Sequence, residues 1–366
     1  MLRTALTDAL RISAPIIQAP MAGGGDTVEL VAAVSNAGGL GSIGAAYLTP
    51  EQIVQRAHQV RSATSQAFCI NLFAPSEAPS FSAQSAQRAL SRLATYYQEL
   101  GIEPTTEASA TQFKFNDQLA ACFESGASVF SFTFGMIPGS AVQQIKRRGM
   151  FLMGTATNVE EALALHDLGV DAVVAQGYEA GGHRGTFMGS MDSGMVGGIS
   201  LIPQISSKLH IPVVASGGIM DGLGIAAALA LGACGVQLGT AFLTCKESGA
   251  AECYKDAILN AAENSTRLTR AFSGRLARGL ENKVISDFAS HQDDILPFPA
   301  QNSLTRAMRN EATKQNRPEY LSLWAGQGTR LARRTSAAEL VHSLMAETEE
   351  TIAGLQTRVT RKQSAA

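Results

Sequence analysis

Eight short, almost wholly apolar runs recur through the first 245 residues, each separated from the next by a stretch with the spacing of an amphipathic helix. They span 15–19, 39–43, 68–73, 128–134, 151–155, 171–176, 212–216 and 235–241. A strand without a polar face must be covered on both sides, the condition of a parallel sheet with helices packed against it. Eight successive βα units close most simply into an α/β (β/α)8 TIM-type barrel, with an open doubly wound sheet as the next arrangement.

Two segments break the repeat. Residues 76–112, rich in Ser, Ala and Gln with a helical stretch near 86–100, read as a partly helical insertion after the third strand. Residues 246–366 are more charged, hold the only Trp, and read as an additional, mostly helical region that packs on a 1–245 barrel and helps cover its active site; the polar end, 356–366, is expected to fray. With 45% hydrophobic and 16% charged residues the chain has the composition of a globular domain. A formal net charge of -2 and no long basic run argue against nucleic acid as a partner. The stretch 225–243 is apolar enough to raise a membrane span, but Gly232, Gly235, Gln237 and Gly239 divide it into a helix and a strand. The five cysteines show no paired spacing and no nearby His, which predicts reduced thiols in a cytoplasmic protein and no metal. The expected assembly is a monomer or homodimer.

Chemistry in such folds gathers at the C-terminal tips of the strands. After the sixth run, residues 176–185 read Gln-Gly-Tyr-Glu-Ala-Gly-Gly-His-Arg-Gly. Gly181, Gly182 and Gly185 remove bulk around His183, letting the backbone approach a planar ligand and leaving the imidazole free, so His183 is the catalytic candidate. Arg184 is read as a surface or phosphate partner and is set aside. Gly217 and Gly218 follow the seventh run, and Gln237, Leu238, Gly239 and Thr240 end the eighth. Loops at these two positions commonly bind phosphate on backbone N–H groups and a helix N-terminus. Pro20 and Met21 follow the first run, Asn71 lies in the third and Gln176 ends the sixth. Two amides, a methionine and flexible glycines at one mouth match the edge and face of a flavin ring.

Together, residues 18–24 (Gln-Ala-Pro-Met-Ala-Gly-Gly), 71–73 (Asn-Leu-Phe), 180–185, 215–222 (Ala-Ser-Gly-Gly-Ile-Met-Asp-Gly) and 237–242 (Gln-Leu-Gly-Thr-Ala-Phe) resemble the nitronate monooxygenase family, formerly 2-nitropropane dioxygenases. Residues 273–282 and 324–328 resemble segments of its class I branch. The resemblance implies a (β/α)8 barrel holding FMN, with Asn71, Gln176, Gly181, Gly218 and residues 237–240 at flavin positions and His183 as the catalytic histidine. It implies oxidation of alkyl nitronates, such as propionate 3-nitronate, by O2 to a carbonyl compound and nitrite, a detoxifying reaction. The chain departs from the family at Thr133, where a His is frequent, and at Arg306, where a Lys is common; both are assigned to the substrate pocket. In this reading His183 removes a proton when neutral and anchors an anion when protonated. The competing readings are an FMN-dependent NAD(P)H:quinone or enoyl-thioester reductase, and a noncatalytic flavin-binding module.

Overall fold

The computed structural model describes residues 2–77, 79–105, 107–108 and 113–363. Its strands are β1 (Ile16–Gln18), β2 (Gly41–Gly44), β3 (Phe68–Phe73), β4 (Val129–Thr133), β5 (Phe151–Ala156), β6 (Ala172–Gln176), β7 (Gly182–His183), β8 (Val213–Ser216), β9 (Gly235–Leu238), β10 (Thr266–Thr269) and β11 (Ala277–Leu280). Eight of them, in the order β1-β9-β8-β6-β5-β4-β3-β2, form one parallel sheet. The sheet closes on itself at Leu40, whose N–H donates to the Ile16 carbonyl and whose carbonyl accepts from Gln18 N, both at 2.9 Å. Closure excludes the open sheet and makes the architecture a (β/α)8 barrel.

Local chemistry sets the helices between strands. Pro50–Ala63 begins with Pro at its first turn behind a reciprocal Thr49–Gln52 capping box, and Val159–Leu168 begins at an Asn158 cap and stops at Gly169 in the left-handed conformation. Inside the barrel, Ile17, Cys69, Val129, Met153, Val174 and Val214 pack against Leu6 and Leu10 of the N-terminal helix Ala5–Leu10. That helix fills one end, and the C-terminal tips of the strands surround the other.

The remaining chain differs in three ways from the sequence reading. The eighth run is split, because the chain turns at Gly239 and its apolar continuation becomes the short helix Thr240–Leu243; an apolar run alone does not distinguish the two states. Residues after 245 include β10 and β11, which with β7 make a second, antiparallel sheet over the mouth. Helix Ala83–Glu99 of the insertion shares a core with this later chain: Leu93, Tyr96 and Tyr97 pack with Phe272, Phe288, Leu304 and Tyr320. Insertion residues 78, 106 and 109–112 lie outside the described residues. The last helix, Ala337–Gln363, returns to the barrel's outer layer through Leu340, Val341 and Leu344. It runs through most of the stretch expected to fray; residues 364–366 lie outside the described residues.

Candidate active site

His183 is carried by β7, which pairs with β11 in the register His183–Ala277 and Gly182–Arg278. The loop between β6 and β7 depends on glycine. Gly182 has φ +73°, and a Cβ on Gly181 would stand 2.5 Å from the main chain of Ala325 and Gly326. Gln176 clamps the far side: its Nε2 donates to the His183 carbonyl at 3.0 Å, and its Oε1 accepts from Gly185 N at 2.8 Å. Arg184, read from sequence as a surface or phosphate residue, is wholly buried and donates to the carbonyls of Gly177 (2.6 Å), Gln176 (3.1 Å) and Gly194 (2.6 Å). Glu161, also wholly buried, accepts from Phe187 N at 2.5 Å and Met188 N at 2.9 Å.

The His183 ring is half-buried, with Nε2 2.8 Å from Ser273 Oγ. Ser273 Oγ also lies 3.0 Å from the Arg275 carbonyl. With its single hydroxyl hydrogen donated there, Ser273 accepts from the tautomer protonated at Nε2, and Nδ1 keeps its lone pair. Burial, then the charges of Arg275 and Arg309, lower the pKa of His183 to about 3. The imidazole is therefore neutral across the ordinary pH range. Trp324, Phe134 and Phe298 wall the ring, with centroids at 5.4, 5.7 and 6.2 Å.

The other strand tips leave a distinct set of polar groups open. Asn71, nearly buried in β3, donates to Ser131 Oγ at 2.9 Å, and its Oδ1 has no partner among the described residues. The Gln237 side chain, half-buried, makes no hydrogen bond there either. The backbone N–H groups of Gly217, Gly218, Ile219, Met220, Gly239 and Thr240 likewise find no acceptor among the described residues. Gly217 and Gly218 adopt φ +114° and +72°, a conformation that turns successive N–H groups to one side. The N-terminus of helix Gly222–Ala230 is not open, because Asp221 accepts from Gly224 N and Glu347 from Gly222 N. Two of that helix's first three N–H groups are thus engaged within the protein.

Other expected groups are committed to the protein. Thr240 Oγ1 accepts from Gly326 N at 3.0 Å. The Leu238 side chain is 1% exposed in the core, and its carbonyl accepts from Ala19 N. Pro20 and Met21 are half-buried after β1. Met21 N donates to Asp26 Oδ2 at 3.0 Å, and the same oxygen accepts from Gly44 N at 2.5 Å. Asp26 is wholly buried, Arg56 is 3.7 Å from its other oxygen, and burial raises its pKa to about 6.

Thr133, at the end of β4, has its Oγ1 3.4 Å from the point where a Cβ on Gly185 would stand, which puts it beside the histidine loop. Phe134 follows at φ +75°, unusual for a bulky residue. Arg306 is exposed, with its guanidinium carbon 5.9 Å from the centre of the Tyr47 ring. One turn later in helix Ala300–Lys314, Arg309 is half-buried and donates to Thr305 O, Asn302 O and Asn302 Oδ1. Burial lowers its pKa to about 10, and its charge is felt at both Tyr47 and His183. Sequence reasoning chose Arg306 and missed Arg309, Ser273, Arg275 and Phe298. Ser273 and Arg275 stood in a segment noted only for its resemblance, and the 90-residue gap between Ser273 and His183 hid their contact.

A family model described as nitronate monooxygenase matches residues 3–347. The chain belongs to the nitronate monooxygenase family. Members are flavin-dependent, nitronate-oxidising enzymes, and this chain is an oxidoreductase of that type. It is 41% identical over 351 residues to a probable nitronate monooxygenase of Staphylococcus saprophyticus, covering 95% of this chain and 98% of that one. Among solved structures it resembles a nitroalkane oxidase from Streptomyces ansochromogenes with a TM-score of 0.88, at 38% identity and over 96% of this chain and 100% of that one. It also resembles FabK from Thermotoga maritima, with a TM-score of 0.78 at 28% identity over 98% of this chain and 100% of that one. Among the described residues no helix is long and apolar enough to cross a membrane, and no cluster of His, Cys, Asp and Glu could hold a metal.

Proposed function

We propose that this enzyme oxidises alkyl nitronates, such as propionate 3-nitronate, with O2 to a carbonyl compound and nitrite, on FMN held at the barrel mouth and with His183 as base. The observation that carries the reading is a neutral imidazole, tied through Nε2 to Ser273, whose Nδ1 is left free among aromatic rings. The open groups support the cofactor. Unpaired N–H groups at 217–220 and 239–240 offer a nest for one phosphate, while Asn71 Oδ1 and the Gln237 amide offer partners for a ring edge. Gln176, both ends of its amide already engaged, orders the histidine loop and has one N–H left for a ligand. When bound, the flavin supplies electron acceptance and the reaction with O2. Gly181 and Gly182 serve by allowing the loop its shape.

In this reading His183 Nδ1 takes the α-proton of a neutral nitroalkane, and a preformed nitronate bypasses that step. Arg309 meets the carboxylate of a substrate that has one, Thr133 borders the pocket with a neutral hydroxyl, and Arg306 stays outside. Five free cysteines fit a reducing, cytoplasmic setting, where the reaction removes a toxic anion; the expected assembly is a monomer or homodimer. Anaerobic mixing of the flavin-loaded protein tests the proposal. Bleaching of the flavin by a nitronate supports it, whereas bleaching by NAD(P)H alone indicates a quinone or enoyl-thioester reductase, and bleaching by neither indicates a binding module. Mass spectrometry of the released cofactor distinguishes FMN from FAD.

A further inference from the structure

Among the described residues Arg275, in the segment leading into β11, is a cation with no carboxylate partner, tied to the chain that follows the base. Its Nε donates to the Arg184 carbonyl at 3.2 Å and its Nη2 to the Thr186 carbonyl at 2.6 Å, one and three residues after His183 in the chain. Its guanidinium carbon lies 3.9 Å from the centre of the Phe134 ring. Phe134 is held at positive φ, 4.4 Å from Phe73 and edge-on to His183 at 5.7 Å. Such strain persists only where the surroundings over-determine it, so the stacked guanidinium has a fixed seat. Nη1 has no hydrogen-bond partner among the described residues, and the group forms no ion pair there. Glu161, the acid whose charge reaches it, is committed to Thr157, Phe187 and Met188.

A half-buried cation with unspent donors is a costly arrangement unless a ligand completes it. We propose that Arg275 is the residue that receives the nitronate's oxygens, donating from Nη1 to the anion while His183 faces its α-carbon. The inference rests on the nitronate reading above and assigns the anchoring role that a neutral histidine cannot fill. The same charge also helps keep His183 unprotonated, since it ranks directly after burial among the causes that lower that group's pKa. Arg275 thus holds the anion and preserves the base. Arg309, with Nε and Nη2 committed to its own helix, lies on the Tyr47 side of the pocket and is left for a distal carboxylate.

The test compares Arg275→Met and Arg275→Lys in the flavin-loaded enzyme. Titration calorimetry with sodium nitrate, a planar unreactive anion, reads binding, and steady-state kinetics with a plain alkyl nitronate read KM and kcat. Loss of a charge-assisted hydrogen bond predicts that Met weakens nitrate binding and raises nitronate KM by roughly ten- to a hundredfold, while Lys restores most of both. The acid limb of kcat/KM for a neutral nitroalkane should also move to higher pH in Arg275→Met, by roughly half a unit or more, because a positive neighbour has been removed. Equal losses in Met and Lys would mean that Arg275 acts only by tying down the carbonyls of 184 and 186, and unchanged nitrate affinity in Met would likewise overturn the proposal. If wild type binds nitrate through Arg275 yet leaves nitronates untouched, the anion site stands and the nitronate reading fails.

Discussion

Replacing His183 by Asn removes the free Nδ1 from a half-buried ring whose polar tie to the fold is Ser273. The expected stability cost is about 1 kcal/mol. Turnover of a neutral nitroalkane should fall roughly a hundredfold to ten-thousandfold at full flavin occupancy, while a preformed nitronate loses less. Measuring kcat/KM for both forms, with flavin content on the same samples, decides the matter; a variant inactive only through lost FMN would return His183 to a structural role. The pH dependence has a defined sign. Because the folded pKa of His183 is lowered to about 3, the wild-type acid limb for nitroalkane should lie well below the ordinary histidine range, and activity should stay level as pH falls through about 6.5. At the distal end of the pocket, Arg309→Met should raise KM for a carboxylate-bearing nitronate more than for a plain alkyl nitronate, and Arg306→Met should affect both little. Equal effects of the two variants would remove the distinction drawn from their burial. The residue types of the site were legible because a histidine among glycines, and an amide inside an apolar strand, are costly without a use. Arg275 was not, since its meaning lies in a missing partner that no sequence displays.

At the scale of elements, the tips of β8 and β9 divide two kinds of glycine. A Cβ on Gly218, at φ +72°, would stand 3.0 Å from Glu179 Cβ, whereas on Gly239, at φ -102°, it would meet nothing closer than Ala19 Cβ at 3.7 Å. Gly218→Val should therefore lower both flavin occupancy and apoprotein stability. Gly239→Val should lower occupancy with little change in the apoprotein's Tm, which makes it the cleaner probe of the phosphate nest. Differential scanning calorimetry of apo and reconstituted forms separates the cases; full occupancy in Gly239→Val would move the phosphate elsewhere. The barrel strands could be read as apolar runs because burial on both faces leaves that signature. β7 could not, being a two-residue strand defined only by its pairing with β11. Nor could the engagement of the first amide of helix Gly222–Ala230 by Glu347 be read, since the two lie more than a hundred residues apart in sequence.

At the scale of the molecule, the insertion and the chain after 245 form one layer over the mouth, joined by Arg92 and Asp294 at 3.1 Å and by Tyr97 Oη donating to the Leu304 carbonyl at 2.5 Å. Sequence reading separated them, since contacts across about two hundred residues leave no periodicity to detect. Stability as a whole should carry the mark of Asp26. Its folded pKa of about 6 lies above the ordinary carboxylate value of 3.8, so its contribution is fully present below 3.8 and is lost as pH rises through 6. The stability of wild type relative to Asp26→Asn should be about 1–3 kcal/mol more favourable at pH 4 than at pH 7 by urea unfolding of the apoprotein, and a pH-independent difference would refute the shift. Trp324 closes the same mouth, 5.4 Å from the His183 ring, and it is the one tryptophan in the chain. All indole emission therefore originates beside the chemistry. A flavin seated there accepts that emission by energy transfer, so the protein should dim as it fills, giving an optical gauge of occupancy that needs no label and is silent about every other surface of the molecule.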